Sequence, residues 1–246
     1  MTQPLFPAPG GMPGICVPLT GETLPALAAQ CAHLAGTPFD LVEWRIDYLK
    51  DRSEWPAALA LLRKSLPGTP LLATFRSARE GGEADITETD YETLLQGLIR
   101  SGKIAAVDIE YRSGSALCTA LAEEAEAHGV YPIVSSHDFA KTPDNEEMAK
   151  RLEAMLAAGG AAKLAVMPQA PEDVLRLLAV TDQVRRTHPG RVIITMAMGK
   201  LGIISRLAGE IFGSALTFAA AGRPSAPGQI DARLLREMLL AIHGEK

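Results

Sequence analysis

Cysteine is scarce in this chain. Its 246 residues include only Cys16, Cys31 and Cys118. An odd number of widely spaced cysteines predicts neither a disulfide framework nor a zinc site. We therefore expect reduced thiols and a cytoplasmic protein.

Basic clusters and long apolar runs are absent as well. The formal net charge is -5, and no block of lysine and arginine interrupts the chain. This argues against nucleic acid or an anionic membrane as the main partner. No stretch reaches the roughly 18 uninterrupted apolar residues of a membrane helix. We expect a small molecule as the partner, and an anionic one if basic residues gather locally.

The start of the chain has no signal-peptide pattern. Residues 1–13 contain four prolines but neither a basic segment nor a long apolar one. We expect 1–13 to be a flexible lead-in and 14–246 to be one folded domain. With 47% hydrophobic residues, the chain can form one sizeable core.

Two kinds of ligand motif are missing too. No G-x-G-x-x-G follows the first predicted strand, and no G-x-x-x-x-G-K-[ST] occurs, so the usual nucleotide-binding patterns are absent. Four histidines lack the H-x-x-H and H-E-x-x-H spacings of metal ligands: His33, His128, His188 and His243. We interpret these four as structural and expect no metal site.

Strand and helix patterns alternate along the whole chain. Eight apolar runs rich in β-branched residues predict strands at 14–20, 40–47, 70–76, 105–111, 131–137, 161–167, 191–197 and 215–221. Amphipathic or alanine- and leucine-rich stretches predict helices at 22–35, 54–65, 88–101, 114–127, 144–157, 171–187, 203–212 and 231–243. Ser53, Thr87 and Asp144 are start signals for three of them.

This alternation predicts an α/β fold with a parallel sheet. Strand starts recur about every 25 to 35 residues, which is the length of one βα unit. Eight units of this size fit a closed (β/α)8 TIM barrel with a single domain. A doubly wound open sheet is the alternative.

Lys163 is the most unusual residue of the predicted strands, because the run around it, 161–167, is otherwise apolar. A buried ammonium must find a counter-ion or lose its proton. A neutral amine in a dry pocket is a nucleophile that can form an imine with a carbonyl compound. A strand-end lysine that extends to water is the plainer alternative.

Charged residues follow one face of several neighbouring strands. Residues two apart on a strand share a face, so the following sets each lie on one side: Glu43, Arg45 and Asp47; Thr74 and Arg76; Asp108 and Glu110; Ser135 and His137; Lys163, Ala165 and Met167. Facing the helices, unpaired charges would be costly. We expect them to face the barrel interior and to form a site at the carboxyl ends of the strands.

Six segments together resemble the type I 3-dehydroquinate dehydratase family. They are 43–47, 74–76 with 80–83, 135–139, 163–168, 198–199 with 204–206, and 225–229. The resemblance extends from about residue 14 to the end of the chain. It implies a (β/α)8 barrel of the shikimate pathway that converts 3-dehydroquinate to 3-dehydroshikimate and water by syn elimination through a lysine imine. It also implies no metal, no organic cofactor and usually a homodimer.

The resemblance implies roles for nine residues. Lys163 matches the lysine that forms the imine, and His137 matches the general acid and base that removes a C2 proton and helps the hydroxyl leave. Glu80 matches the carboxylate that orients this histidine. Arg206 matches the arginine that binds the substrate carboxylate. The residues matching those that hold the ring hydroxyls and carboxylate are Glu43, Arg45, Arg76, Ser225 and Gln229.

Two other functions are alternatives. A class I aldolase or transaldolase also carries an imine-forming lysine on a barrel strand, but no glycine-rich phosphate loop follows the last two predicted strands. A non-catalytic sensor of a related carboxylic acid should have lost Lys163 or His137, and both are present. In the loop 225–229 we predict a lid, with Gly222 and Gly228 as hinges.

Overall fold

The computed structural model describes residues 5–7, 11–111, 116–222 and 225–244. Within them, eight parallel strands form one sheet. The strands are β1 (Gly14–Leu19), β2 (Leu41–Arg45), β3 (Leu71–Thr74), β4 (Ala106–Glu110), β5 (Tyr131–Asp138), β6 (Ala161–Val166), β7 (Ile193–Ala197) and β8 (Leu216–Phe218).

Helices alternate with these strands. They are α1 (Leu24–His33), α2 (Trp55–Ser65), α3 (Glu88–Arg100), α4 (Ala116–Ala127), α5 (Asn145–Ala158), α6 (Pro171–Thr187), α7 (Ile203–Leu207), α8 (Gly209–Phe212) and α9 (Ala232–His243). Residues 114 and 115 of the predicted fourth helix lie outside the described residues.

The sheet is a nearly closed barrel. From β1 to β7, each strand pairs in parallel with its neighbours in the chain, and β1 also pairs with β8. The gap between β7 and β8 is closed by a parallel bridge between Ile193 and Ser214, with a hydrogen bond of 2.8 Å from Ala215 N to Ile193 O. The predicted (β/α)8 barrel is confirmed, and the open doubly wound sheet is wrong.

Two apolar cores follow from the alternation of side chains along each strand. On β2, Val42 and Trp44 point outward into the large core that the helices cover, while Leu41 belongs to a smaller core inside the barrel. Glu43 and Arg45 alternate with them and are buried. The barrel interior is therefore apolar toward the amino ends of the strands, and the charged residues lie toward their carboxyl ends.

Several predicted boundaries differ from the structure. β2 ends at Arg45 because Ile46–Tyr48 forms a 3-10 turn. The predicted helix 203–212 is two helices, and at Gly209 a Cβ would lie 2.6 Å from the carbonyl oxygen of Ser214. β8 is shorter than predicted.

The helix start signals have mixed outcomes. Thr87 and Asp144 cap α3 and α5, where their side chains accept hydrogen bonds from Asp90 N and Glu147 N. Ser53 does not cap α2, because it lies in a preceding 3-10 turn.

One residue before β1 packs against the base of the barrel. Phe6 is buried in the inner core, and its ring lies edge-on to Tyr131 with centroids 5.1 Å apart. Residues 1–4 and 8–10 of the predicted lead-in lie outside the described residues. The division of the chain at residue 13 therefore stays a prediction.

Candidate active site

Lys163 lies inside the barrel, buried and paired with carboxylates. Strand β6 places it opposite Ser135 of β5, and only 3% of the residue is exposed. Its Nζ donates a hydrogen bond of 2.9 Å to Asp108 Oδ2 and lies 3.8 Å from Glu43 Oε1. Phe218 lies on β8, and its ring centroid is 4.5 Å from Nζ. The buried ammonium has therefore found a counter-ion and does not extend to water.

Arg76 connects the charged ends of three strands. Its guanidinium donates to Asp108 at 2.7 Å, to Glu110 at 3.0 Å and to Glu80 at 3.1 Å. It also donates to the Ser135 hydroxyl at 3.1 Å. Such a planar donor suits several carboxylates at once. This network is the reason that so many charges can be buried together.

His137 at the upper end of β5 contacts Glu80. Its Nδ1 lies 3.0 Å from Glu80 Oε2, and the same oxygen accepts a hydrogen bond of 3.1 Å from the His137 backbone N. Burial, reinforced by the positive charges of Arg76 and Lys163, lowers the pKa of His137 well below its usual range. Burial raises the pKa of Glu80 to about 8, although Arg76 opposes this. The imidazole is therefore neutral at pH 7.

Two glycines, Gly81 and Gly82, allow the loop after β3 to bring Glu80 into contact with this imidazole. Ala78–Glu80 is a 3-10 turn that ends at Gly81, where φ is +79°. A Cβ on Gly81 would lie 2.3 Å from the Phe139 ring, and one on Gly82 would lie 1.9 Å from the carbonyl oxygen of Arg76. Glycine is therefore required for the loop to fold back onto β3 and β5.

Arg45 and Glu43 form the second side of the site. Arg45 is bound bidentately by Asp47, at 2.8 and 2.7 Å. Asp47 also accepts backbone hydrogen bonds from Arg76 and Glu83, so it ties the loop after β3 to β2. Glu43 accepts a hydrogen bond of 2.9 Å from the Thr74 hydroxyl.

Arg206 differs from the other two arginines of the site. Its guanidinium donates to the carbonyl oxygens of Pro227 at 3.0 Å and Phe218 at 3.4 Å. Within the described part of the chain it has no carboxylate partner, and its Nε has no hydrogen-bond partner. Burial lowers the pKa of Arg206 to about 10. A buried guanidinium with free donor capacity can bind an anion.

Ser225 and Gln229 form a small hydrogen-bonded unit over the barrel. Ser225 N donates to Gln229 Oε1 at 2.8 Å, and Gln229 Nε2 donates back to Ser225 Oγ at 3.0 Å. The same loop is attached to the strand side through a hydrogen bond of 3.2 Å from Gly199 N to Pro227 O. The loop 225–229 therefore lies across the barrel mouth.

One cavity of about 50 Å³ brings all nine predicted residues together. They are Glu43, Arg45, Arg76, Glu80, His137, Lys163, Arg206, Ser225 and Gln229. The sequence interpretation assigned no role to four further lining residues, namely Phe139, Met196, Met198 and Phe218, although Phe139 and Met198 lie in segments that carry the resemblance. It also assigned no role to Asp108. The period-two pattern places Asp108 on the interior face, but only the fold shows which cation it meets.

The described residues contain neither a cluster of metal ligands nor a membrane-spanning helix. Among them, no group of three or more His, Cys, Asp or Glu side chains is arranged to hold a metal ion. The expectation that the chemistry needs neither a metal nor an organic cofactor stays a prediction. In the same part of the chain, no helix is long and apolar enough to cross a membrane.

The cavity combines groups suited to carbonyl chemistry. A primary amine can add to a ketone, a neutral imidazole can accept a proton, and an arginine without a carboxylate partner can bind a carboxylate. All three line one small space whose other walls are apolar, ion-paired or, at Ser225 and Gln229, hydrogen-bonded to each other. The arrangement fits a small anionic ketone.

Comparison with known proteins agrees with this chemistry. Residues 15–246 match the model of the family described as type I 3-dehydroquinase. The 3-dehydroquinate dehydratase of Listeria welshimeri is 46% identical over 237 residues, which are 95% of this chain and 94% of that protein.

Solved structures show the same likeness. A type I 3-dehydroquinate dehydratase from Clostridium difficile, solved with covalently modified comenic acid, has a TM-score of 0.90 and 40% identity. The match covers 95% of this chain and 93% of that one. The 3-dehydroquinate dehydratase from Geobacillus kaustophilus has a TM-score of 0.89 and 37% identity, covering 96% of both chains. With barrel, site and relatives in agreement, this chain belongs to the type I 3-dehydroquinase family.

Proposed function

We propose that this protein dehydrates 3-dehydroquinate to 3-dehydroshikimate and water in the shikimate pathway, through an imine at Lys163. One observation carries the proposal: Lys163, the His137–Glu80 pair and Arg206 line the same cavity in a member of this family. The curated relatives are named for this activity. The protein is then a hydro-lyase.

Lys163 supplies the electron sink. The ammonium of Lys163 releases one proton, and the resulting amine adds to the ketone carbon of the substrate. That proton and a second one from the nitrogen go to the carbonyl oxygen, which leaves as water, so a protonated imine with one hydrogen on its nitrogen remains. This cation draws electron density from the neighbouring C2–H bond and makes that proton acidic. Buried surroundings keep competing water away from the imine, since Lys163 is 3% exposed.

His137 moves the proton. Glu80 Oε2 accepts hydrogen bonds from Arg76 and from the His137 backbone, so it also accepts from Nδ1–H, which leaves Nε2 as the free base for the C2 proton. Loss of that proton gives an enamine, whose electrons expel the hydroxyl group at C1. The imidazolium returns its proton to the departing oxygen, so that water leaves in a syn elimination. Hydrolysis of the product imine then regenerates the amine of Lys163.

The remaining predicted residues hold the substrate. Arg206 binds the substrate carboxylate, because it is the arginine of the site without a carboxylate partner in the described structure. The ring hydroxyls and carboxylate are held by Glu43, Arg45, Arg76, Ser225 and Gln229, all of which line the cavity. Arg45 and Arg76 are held in place by the carboxylates of Asp47 and Asp108 before the substrate binds.

The loop 225–229 acts as the lid. It carries Ser225 and Gln229, and its Pro227 carbonyl accepts a hydrogen bond from Arg206. Gly222 and Gly228 have positive φ angles of +100° and +79° and serve as hinges. Closure over the substrate excludes water from the imine.

We also propose that the protein is a cytoplasmic homodimer. Reduced cysteines support the location, and the described cysteines are free and buried. An exposed apolar stripe on α9, formed by Leu234, Met238 and Ile242, supports association with a second copy. Ile211 of α8 is also exposed beside the end of α9, where Glu210 pairs with His243.

Borohydride trapping tests the proposed function. Incubation with 3-dehydroquinate and borohydride should give one covalent adduct at Lys163, located by peptide mass spectrometry, with loss of activity. A parallel assay should show the absorbance of the conjugated enone product, which neither an aldolase nor a sensor would form.

Two variants make the trapping experiment specific. Lys163→Met should give no adduct, whereas Lys200→Ala, which alters an exposed lysine, should behave like the parent. Recovery of unmodified and still active parent enzyme would refute the imine mechanism.

A further inference from the structure

Asp108 lies at the centre of the charged network without a part in the proposed reaction. It sits on β4, is 0% exposed, and its Oδ2 accepts the 2.9 Å hydrogen bond from Lys163 Nζ. A buried carboxylate is costly unless it is paired and hydrogen-bonded. Its contact with the amine that would carry the imine gives it a candidate role.

The two oxygens of Asp108 have separate partners. Oδ1 accepts hydrogen bonds from Arg76 Nη2 at 2.7 Å and from the Ser135 hydroxyl at 2.6 Å. Oδ2 is left to face Lys163. Burial alone would favour the neutral acid, but the charges of Arg76 and Lys163 hold the pKa of Asp108 well below its usual range. The carboxylate therefore keeps its charge and is a poor proton acceptor.

Glu43 is less well placed for the same role. Its Oε1 is 3.8 Å from Lys163 Nζ and is engaged by the Thr74 hydroxyl. On β8, the Phe218 ring faces Nζ at 4.5 Å, a contact that favours a cation over a neutral nitrogen. The space around Nζ is thus arranged for a positive charge with Asp108 as its nearest anion.

Other charged and titratable groups lie around this pair on the surrounding elements, inside the barrel or in the core behind its strands. They are Cys16 on β1, Glu43 on β2, Arg76 and Glu80 after β3, Tyr91 on α3, Glu110 on β4, Cys118 on α4 and His137 on β5. Among them, Arg76 disfavours a second cation at position 163. Without Asp108, the protonated imine would face this guanidinium with Glu43, at 3.8 Å from Nζ, as its remaining close carboxylate.

We propose that Asp108 is the fixed counter-ion of the protonated imine at Lys163, and this rests on the proposed function. Condensation of the amine with the ketone leaves one hydrogen on the imine nitrogen, and Oδ2 accepts the hydrogen bond from it. Asp108 takes no proton during the cycle, because the C2 proton goes to His137. It stabilises the positive charge that makes C2 acidic and keeps the nitrogen in place.

Asp108→Asn tests the counter-ion, because asparagine keeps the size and one oxygen but removes the charge. We expect kcat to fall about 100- to 1,000-fold, the scale of a lost preorganised electrostatic contact, with a smaller change in KM. Cyanoborohydride reduces protonated imines and not neutral ones. In the variant, trapping at Lys163 should therefore decline with rising pH about one pH unit or more earlier than in the parent.

Asp173→Asn is the matched control. Asp173 is also largely buried and accepts backbone hydrogen bonds at the start of α6, but it lies outside the cavity. Its replacement should leave both kcat and the trapping profile unchanged. An Asp108→Asn enzyme with parental turnover and a parental trapping profile would overturn the proposal.

A measurement on the parent protein keeps the test valid even if Asp108→Asn does not fold. With ¹⁵N-labelled lysine and saturating 3-dehydroshikimate, the nitrogen shift should report a protonated imine at neutral and mildly alkaline pH. A neutral imine at pH 7 would overturn the counter-ion role. Absence of any imine in the parent would instead refute the proposed function, so the two failures are distinguishable.

Discussion

The protonation state of His137 depends on the residues around it. Its side chain is 11% exposed and shares the site with Arg76 and Lys163, and both burial and these cations disfavour the imidazolium. A neutral imidazole is the form that can accept a proton. Because the folded-state pKa is lowered, this form persists above that pKa and is lost only as the pH falls through it.

His137→Ala should slow turnover by at least about a hundredfold, the scale of lost general acid and base catalysis. Borohydride trapping at Lys163 should survive, since the imine needs no base at C2. In the parent, kcat/KM should fall on the acid side only below pH 6.5, which is the ordinary pKa of histidine, because the pKa of His137 is lowered. Steady-state kinetics across pH would check both.

His188→Ala is the control for this substitution. His188 lies just after α6, partly exposed, with Nε2 3.7 Å from Glu153. Its loss should change neither turnover nor the acid limb. Turnover of His137→Ala close to the parental value would remove His137 from the proton transfer.

Sequence reasoning places Lys163 and His137 correctly because a strand repeats every two residues. It cannot distinguish Asp108 from an ordinary structural ion pair, since both are a carboxylate on an interior face. Arg206 has no carboxylate partner among the described residues, and this is equally invisible in the sequence, because its acceptors are backbone carbonyls of Phe218 and Pro227, 12 and 21 residues further along the chain. These features depend on which strands meet across the barrel.

At the scale of elements, the 3-10 turn Ala78–Glu80 joins the end of β3 to the end of β5. Its last residue, Glu80, binds both Arg76 and His137. Gly81 then reverses the chain with φ +79°, and its backbone lies against the Phe139 ring. A side chain at position 81 would push this turn away from β5 and separate Glu80 from the imidazole.

Gly81→Ala should lower kcat by about tenfold to a hundredfold, as expected when a contact in the site is displaced by roughly 1 Å. It should also destabilise the protein by about 1–2 kcal/mol, because alanine at positive φ is strained. Enone-forming activity and urea unfolding would measure the two effects.

Gly102→Ala separates strain from displacement. Gly102 has φ +64°, and a Cβ there would meet nothing within 4 Å. We expect a similar loss of stability and no loss of kcat. Phe139→Ala in the Gly81→Ala background should restore part of the rate, since it removes the clashing ring. Equal kcat losses in the two glycine variants would contradict the positioning role of the turn.

Element boundaries follow from contacts that the sequence pattern does not contain. Residues 46 and 47 continue the apolar and charged alternation of β2, yet the chain turns there and Asp47 accepts hydrogen bonds from Arg76 and Glu83. Likewise, Gly209 interrupts a helical pattern because the Ser214 carbonyl approaches it closely. Tertiary contacts override local preference at both places.

At the scale of the whole molecule, α9 carries an exposed apolar stripe. Leu234, Met238 and Ile242 are spaced four residues apart and are between 36% and 46% exposed. Leu235 and Leu239 on the inner side are buried against the barrel. The apolar arc of α9 thus extends from buried residues to exposed ones, which is typical of a contact with a second chain.

Leu234→Glu combined with Met238→Glu should weaken the proposed homodimer by about a hundredfold in Kd, since central apolar contacts carry most of the binding energy. Two carboxylates from each copy would face one another across the contact. Analytical ultracentrifugation over a concentration series would measure the shift from dimer to monomer.

Leu175→Glu is the control for the stripe. Leu175 on α6 is 66% exposed and lies outside α9. Its replacement should leave the dimer intact. A parent that sediments as a monomer, or a double variant that remains a dimer, would rule out this surface as the interface.

The charged interior of the barrel has a consequence for how the protein can change. Apolar side chains of similar volume in place of a buried ionic network are often neutral or stabilising by about 1–4 kcal/mol. Arg76, Asp108 and Lys163 thus form a region where heat resistance and reactivity oppose each other. A library selected only for survival at high temperature would lose these residues first, and its survivors would be stable barrels without chemistry.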